Sequence, residues 1–201
     1  MNITIEGNGV FGTFLRKELS AHVNIDDDSS VVILAVPASA YEAMALKHQN
    51  KHLINVCSIQ EDTTSACLET SSLVTSIHPM FGPRSPADGR SCIVTRAITN
   101  SSSKMANKEV QMVLDLFAKI CTTMVYEVNG VKITPRMHDE MMAKTHMKVV
   151  EISDHILQLV DNAKDIPEEC LPTSFKRLKA MAEQFLDMPP GTKESILSNK
   201  Y

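Results

Sequence analysis

"ITIEGNGVFGTFL", residues 3–15, decides the fold. The segment "NITIEG" (2–7) reads as a strand, and "GTFLRKELSA" (12–21) reads as a helix. Between them Gly7, Gly9 and Gly12 stand in a G-x-G-x-x-G pattern. Alone that pattern is weak; between a strand and a helix it gains physical content. The first glycine permits the tight turn. The second lets a pyrophosphate approach the backbone. The third lets helix and strand pack closely, and the helix N-terminus offers N–H donors. Gly7, Asn8, Gly9, Val10, Phe11 and Gly12 are therefore candidate cofactor contacts. The bland alternative is a glycine-rich turn with no ligand.

Outward from this loop the chain keeps one grammar to about residue 129. "VVILAVP" (31–37), "HLINVC" (52–57), "LVTSI" (73–77), "SCIVTRAI" (91–98) and "TMVYEV" (123–128) read as strands. "ASAYEAMALKHQ" (38–49), "QEDTTSACLE" (60–69) and "SKMANKEVQMVLDLFAKIC" (103–121) read as helices, and "NSSSK" (100–104) as a polar loop. Apolar strands alternating with helices imply an α/β fold with a mostly parallel sheet covered on both faces. One segment is short. Only "HVNIDDDSS" separates the first helix from "VVILAVP", too little for a parallel crossover of about a dozen residues. The second strand is either a stub at 23–25 or lost. Asp26, Asp27 and Asp28 are either the acid that holds a ribose or a solvated loop, and the loop is slightly favoured.

After "NG" (129–130) no further strand is expected. "TPRMHDEMMAKTHMKVVEISDHILQLV" (134–160) has Thr134 as N-cap, Pro135 at the first helical position and apolar residues at helical spacing. "PTSFKRLKAMAEQFL" (172–186) and "GTKESILSNK" (191–200) follow as helices. This gives a dinucleotide-binding domain over 1–129 and a small all-helical domain over 130–201. The long helix carries a wide apolar stripe, including Met137, Met141, Val149, Ile152, Ile156 and Val160. A homodimer through this segment would bury it.

Composition excludes several classes. The net charge is −4 with Lys and Arg scattered, so there is no footprint for nucleic acid. Five cysteines without CxxC spacing argue against a disulfide framework or zinc site and for a reducing, cytoplasmic setting. "MNITIEGN" lacks the basic start of a signal peptide, and "VVILAVPASA" is too short for a membrane span.

His78 opens "HPMFGPRSPADG" (78–89), a loop stiffened by prolines beyond a strand. A neutral imidazole accepts a proton from an alcohol near neutral pH; the plain alternative is a turn with a surface histidine. His138 and His146, eight residues apart, differ by about 80° around one helix. That spacing is wrong for a zinc pair, so no metal site is expected. Ser58 is, by position alone, a loop serine.

Together these stretches resemble the prephenate/arogenate dehydrogenase family of tyrosine biosynthesis. "GNGVFG" resembles its nucleotide loop, and "VVILAVP", with Val36 and Pro37, its Val-Pro strand end. "LINVCSI" resembles the strand ending in its active-site serine, which carries over to Ser58; "HPMFGP" resembles the signature with its catalytic histidine, His78. "MHDEMMAKTHM" resembles its His-Asp helix, with His138, Asp139 and His146. "SFKRLKAMAEQFL" resembles the helix whose arginine holds a substrate carboxylate, best matched by Arg177, with Lys176 one place away. The resemblance implies a Rossmann-like domain, NAD or NADP as cofactor, and prephenate or arogenate as substrate. It implies oxidative decarboxylation to 4-hydroxyphenylpyruvate in the prephenate case, with Ser58 and His78 catalytic and His138, His146 and Arg177 binding substrate. It also implies an intertwined helical dimer. The sequence departs from the family in its short second-strand region, in Gln60 where lysine is common, and in a helical segment shorter than usual. A non-catalytic dinucleotide-binding relative reduced by deletion is the alternative in a different class.

Overall fold

The computed structural model describes residues 2–97, 104–186 and 190–201, with side chains omitted for 184–186 and 190–192. Residues 98–103 lie outside the description, and with them most of the expected 100–104 loop. The chain divides into two compact units, Met1–Asp139 and Glu140–Tyr201, ten residues beyond the expected boundary at 129.

The first unit is built on strands β1 (Asn2–Glu6), β2 (Asn24–Ile25), β3 (Val31–Leu34), β4 (His52–Asn55), β5 (Val74–Pro79), β6 (Ser91–Arg96) and β7 (Thr123–Val125). They form one sheet in the order β2-β1-β3-β4-β5-β6-β7. The first five strands of that order run parallel, and β6 turns back against β5. Helices α1 (Val10–Leu19) and α4 (Lys104–Phe117) bring Phe14, Leu15, Val113 and Phe117 against Ile3, Ile5, Ile33 and Ile77 on one face. Helices α2 (Tyr41–Lys47) and α3 (Glu61–Thr70) bring Tyr41, Ala45 and Cys67 against Val32, Leu34 and Leu53 on the other. The helices thus change face between β1 and β3. That is the switch point at which sheets of this kind bind ligands, beyond the strand carboxyl ends.

The second strand is the stub. β2 pairs Asn24 with Asn2 and Ile25 with Ile3. The chain then crosses β1 at once: the Ser29 amide donates to Thr4 Oγ1 at 2.9 Å, and the Ser29 hydroxyl donates to the Asn2 carbonyl at 2.6 Å. Asp26 is one residue past Ile25, the partner of Ile3, and its amide donates to the Ile3 carbonyl at 2.8 Å. It stands two residues below Glu6, about 7 Å at the strand rise. Asp28 pairs with Lys51 Nζ at 2.5 Å. Asp26, Asp27 and Asp28 are therefore a loop at the amino end of the sheet, away from the glycines.

Three further expectations change. A two-residue strand β9 (Val131–Lys132) pairs with β8 (Glu127–Val128) across Asn129 and Gly130, both at positive φ. β5 runs on through His78 and Pro79, which pair with Ile93 and Cys92, so His78 belongs to a strand and not to a loop. The expected 134–160 helix is two helices, α5 (Pro135–Lys144) and α6 (His146–Asn162). Thr145 between them has φ −124° and ψ −77°, and its hydroxyl donates to the Met141 carbonyl at 2.9 Å. Such back-bonding by threonine competes with the helix ladder. His138 and His146 thus do not share one helix face.

The second unit contains α6, α7 (Thr173–Leu186) and α8 (Pro190–Leu197), with Lys193 Nζ against Asp154 Oδ1 at 2.5 Å. Val150 and Ile156 are buried there, while Val149, Ile152 and Leu159 are exposed along α6. Among the described residues no helix is long and apolar enough to cross a membrane.

Candidate functional site

The three glycines of the first loop have different physical reasons. Gly7 has φ +107°, and a Cβ there would sit 2.0 Å from the Ala35 carbonyl oxygen. A Cβ on Gly12 would sit 2.1 Å from the Gly7 carbonyl oxygen. The turn and the helix–strand approach therefore require both. Gly9 differs: its φ is −71°, and a Cβ would meet nothing within 4 Å among the described atoms. The protein's own packing does not require a glycine at position 9, and the space beside it is open to a ligand approaching the backbone. Gly9 is the N-cap of α1, and among the described residues no side chain caps that helix or puts an acid in its first turn. Asn8, Gly9 and Val10 are exposed, Phe11 packs on Phe14 with centroids 5.9 Å apart, and Val36 borders Gly7. Val36 and Pro37 follow β3 directly, across the switch point. These residues fit a dinucleotide phosphate: a donor-bearing helix end with its space left open.

The second cluster forms at the carboxyl ends of β4 and β5. A register shift at Ser76/Ile77 re-aims the strand just before His78, as bulges beside active sites do. His78 is buried, and its Nδ1 lies 2.8 Å from His138 Nε2, with the rings edge-on at 81°. His138 Nδ1 lies 2.8 Å from Asp139 Oδ1. Asp139 also accepts from the Gln60 and Glu61 amides, both at 2.8 Å, at the N-terminus of α3. That is where a carboxylate is favoured.

This order fixes the proton positions for two neutral rings. A carboxylate only accepts, so His138 Nδ1 carries the proton and its Nε2 accepts. His78 Nδ1 is then the donor to His138, and His78 Nε2 keeps the lone pair. His138 is fully buried with both ring nitrogens engaged. It stands between His78 and Asp139 in this chain of bonds.

The loop after His78 is held from two sides. Arg90 donates through Nε and Nη2 to the Ser85 carbonyl, pairs with Glu18 at 2.5 Å, and lies over the Phe14 and Phe81 rings. Ser58 lies in the β4–α3 loop, two residues before the Gln60 amide that binds Asp139. His146, half-buried, begins α6, and Arg177 is exposed on α7; both belong to the second unit.

Sequence reasoning missed the polar residues that hold this loop. Asn55 is fully buried, donates to Thr63 and Thr64, and accepts from the Cys57 amide. Gln60 accepts from Thr95 at 2.8 Å, and Thr64 contacts Ser76 at 2.8 Å. The available signal was Asn55 and Ser76, polar residues inside strands that read as buried.

No protein-family model matches the chain, and no curated protein matches it in sequence. Solved structures do resemble it. A Corynebacterium glutamicum protein provisionally assigned as a prephenate dehydrogenase aligns at TM-score 0.71 and 13% identity, over 97% of this chain and 74% of that one. Pyrroline carboxylate reductase from Plasmodium falciparum, with NADP bound, aligns at TM-score 0.52 and 13% identity, over 100% and 80%. A V8 variant of the imine reductase from Myxococcus stipitatus, in complex with NAD+, aligns at TM-score 0.50 and 15% identity, over 92% and 72%. The chain therefore has the Rossmann-like fold of NAD(P)-dependent dehydrogenases and reductases. Among these three neighbours the C. glutamicum protein has the highest TM-score.

Proposed function

We propose that this chain is an NAD(P)-dependent dehydrogenase that oxidatively decarboxylates prephenate, or arogenate, with His78 as the base. The His78–His138–Asp139 chain carries this proposal, because it fixes an accepting nitrogen on a buried imidazole. Gly7, Gly9 and Gly12, with Asn8, Val10, Phe11, Val36 and Pro37, would hold the dinucleotide, which supplies a hydride acceptor when bound. His78 Nε2 takes the proton of the substrate's ring hydroxyl. His138 accepts the His78 Nδ1 proton as a hydrogen bond, so the growing positive charge spreads toward Asp139. Ser58 orients His78 or the substrate. Arg177 and His146 are proposed to bind the substrate's carboxylates. Hydride would leave the hydroxyl-bearing carbon for the bound dinucleotide, the ring carboxylate would depart as carbon dioxide and leave its electron pair to complete the aromatic ring, and His78 would return the proton to the phenolate oxygen.

Purified protein with prephenate or arogenate and NAD or NADP, followed at the absorbance of the reduced nicotinamide, tests this. Turnover that His78→Asn abolishes is expected. Dinucleotide binding without turnover on either substrate would favour the non-catalytic relative, the reading that the two-residue β2 supports.

The second unit is proposed to form a homodimer through α6. Val149, Ile152 and Leu159 are 41%, 58% and 54% exposed on that helix, a stripe that a two-fold partner would cover. Light scattering across a dilution series checks it, and a stable monomer at micromolar concentration rules it out.

A further inference from the structure

We infer that Arg16 selects a 2′-phosphorylated dinucleotide, NADP over NAD; this rests on the proposal that the glycine loop binds a dinucleotide. The starting point is the edge that the stub leaves open. β2 satisfies the Ile3 carbonyl through the Asp26 amide and stops there. The next carbonyls on that side of β1 are those of Ile5 and Gly7. Arg16 reaches back from α1 and takes both, Nη2 donating to Ile5 and Nη1 to Gly7 at 2.7 Å. A guanidinium thus stands where a longer second strand would run, beside the first glycine of the loop.

That position has a known electrostatic meaning. An acid at the carboxyl end of the second strand binds the ribose hydroxyls of NAD, and an arginine nearby accommodates the 2′-phosphate of NADP. The acids that could restore an NAD site are placed or engaged elsewhere: Asp26 and Asp27 lie in the loop at the amino end of the sheet. Asp28 is paired with Lys51 at the other end of the sheet. Glu6 is bound by Lys47 Nζ and His48 Nε2, each at 2.6 Å, and the Lys47 bond holds its carboxyl below the usual range. The side chain is half-buried, and two of the five guanidinium N–H groups serve the carbonyls. Nε–H and one N–H on each Nη are left as charged donors for a phosphate. The edge therefore presents positive charge to the adenosine ribose.

Calorimetric titration of the full chain with NADP and with NAD tests this, together with Arg16→Gln and Arg16→Lys. NADP is expected to bind more tightly than NAD by about tenfold or more, the worth of one charge-assisted contact. Arg16→Gln should bring the two affinities together by weakening NADP alone, and Arg16→Lys should retain part of the preference. NAD binding as tightly as NADP to the parent overturns the inference while leaving the dinucleotide site standing. A preference that survives Arg16→Gln also overturns it. If neither nucleotide binds, the dinucleotide site itself fails and the selection with it. If Arg16→Gln does not fold, having left two carbonyls unpaired, the parent ratio and the lysine variant still decide.

Discussion

The two flanks of the sheet treat their loops in opposite ways. On the β1 flank, the glycine loop is shaped by backbone and one side chain: two glycines with no room for a Cβ, one with open space, and a strand edge capped by Arg16. On the β4–β5 flank, the loop is shaped by side chains. His78, His138, Asp139, Gln60, Asn55 and Thr64 are all buried and bonded to one another in pairs, two of which, His78–His138 and Gln60–Asp139, join distant parts of the sequence. A phosphate needs backbone donors and space. A proton acceptor needs one tautomer in one orientation, which only a satisfied polar network supplies. The first flank keeps its glycine geometry beside a two-residue β2; the second depends on many partners at once.

The comparison breaks first at His78. Replacing it with asparagine should lower kcat by about 10²–10⁴, the usual worth of a general base. Titration should give unchanged dinucleotide affinity, because the cofactor flank shares none of its bonds. A kcat that does not move would remove His78 from the chemistry.

Asp139→Asn probes the same flank from its buried end. The carboxylate accepts three bonds, and an amide would set N–H against N–H at one of them. A loss of about 1–3 kcal/mol in stability is expected, with a displaced pH–rate profile because the His138 tautomer is no longer imposed. A purely structural role would lower the melting temperature and leave the profile in place.

On the cofactor flank the glycines should separate by measurement. Gly12→Ala drives a methyl into the Gly7 carbonyl oxygen, so the melting temperature should fall. Gly9→Val should fold normally and lose dinucleotide binding. If Gly9→Val binds as well as the parent, the open space above Gly9 is not the pyrophosphate site.

The difference between the flanks also explains what the sequence could reveal. Glycine spacing is local, so 3–15 announced the loop, the helix and the sheet class at once. The position of Asp26 was not readable, because it depends on where a two-residue strand stops along β1. Thr145 breaks a helix whose apolar spacing continues across it, and no pattern rule sees a hydroxyl that turns back on Met141. His138 was visible as a histidine near an aspartate. That both its nitrogens are used, one by a strand residue sixty positions earlier, is a fact of tertiary structure. Gln60 stood out only as a departure from lysine, yet its amide holds Asp139.

The smallest expected effect lies at the amino end of the sheet. His52 is buried on β4, with Nδ1 3.0 Å from Glu109 Oε1 and Nε2 2.8 Å from Thr75 Oγ1. Burial pushes its pKa down to about 4 from an ordinary 6.5. A histidine held neutral in this way binds its proton more readily when unfolded. Its contribution is therefore complete above pH 6.5 and is lost as the pH falls toward 4. Glu109 works against it, since burial raises its pKa and a protonated carboxyl suits the folded state in acid. The net loss should be on the order of 1 kcal/mol by pH 5. Thermal melts of the parent between pH 7 and pH 5 should fall more steeply than those of His52→Gln. The variant retains a side chain able to bond Thr75 or Glu109 but has nothing to titrate. Parallel melting curves for the two proteins would show that His52 does not couple protonation to folding. The activity of His52→Gln at pH 7 should match the parent, because the β4–β5 site lies at the opposite end of the same strands.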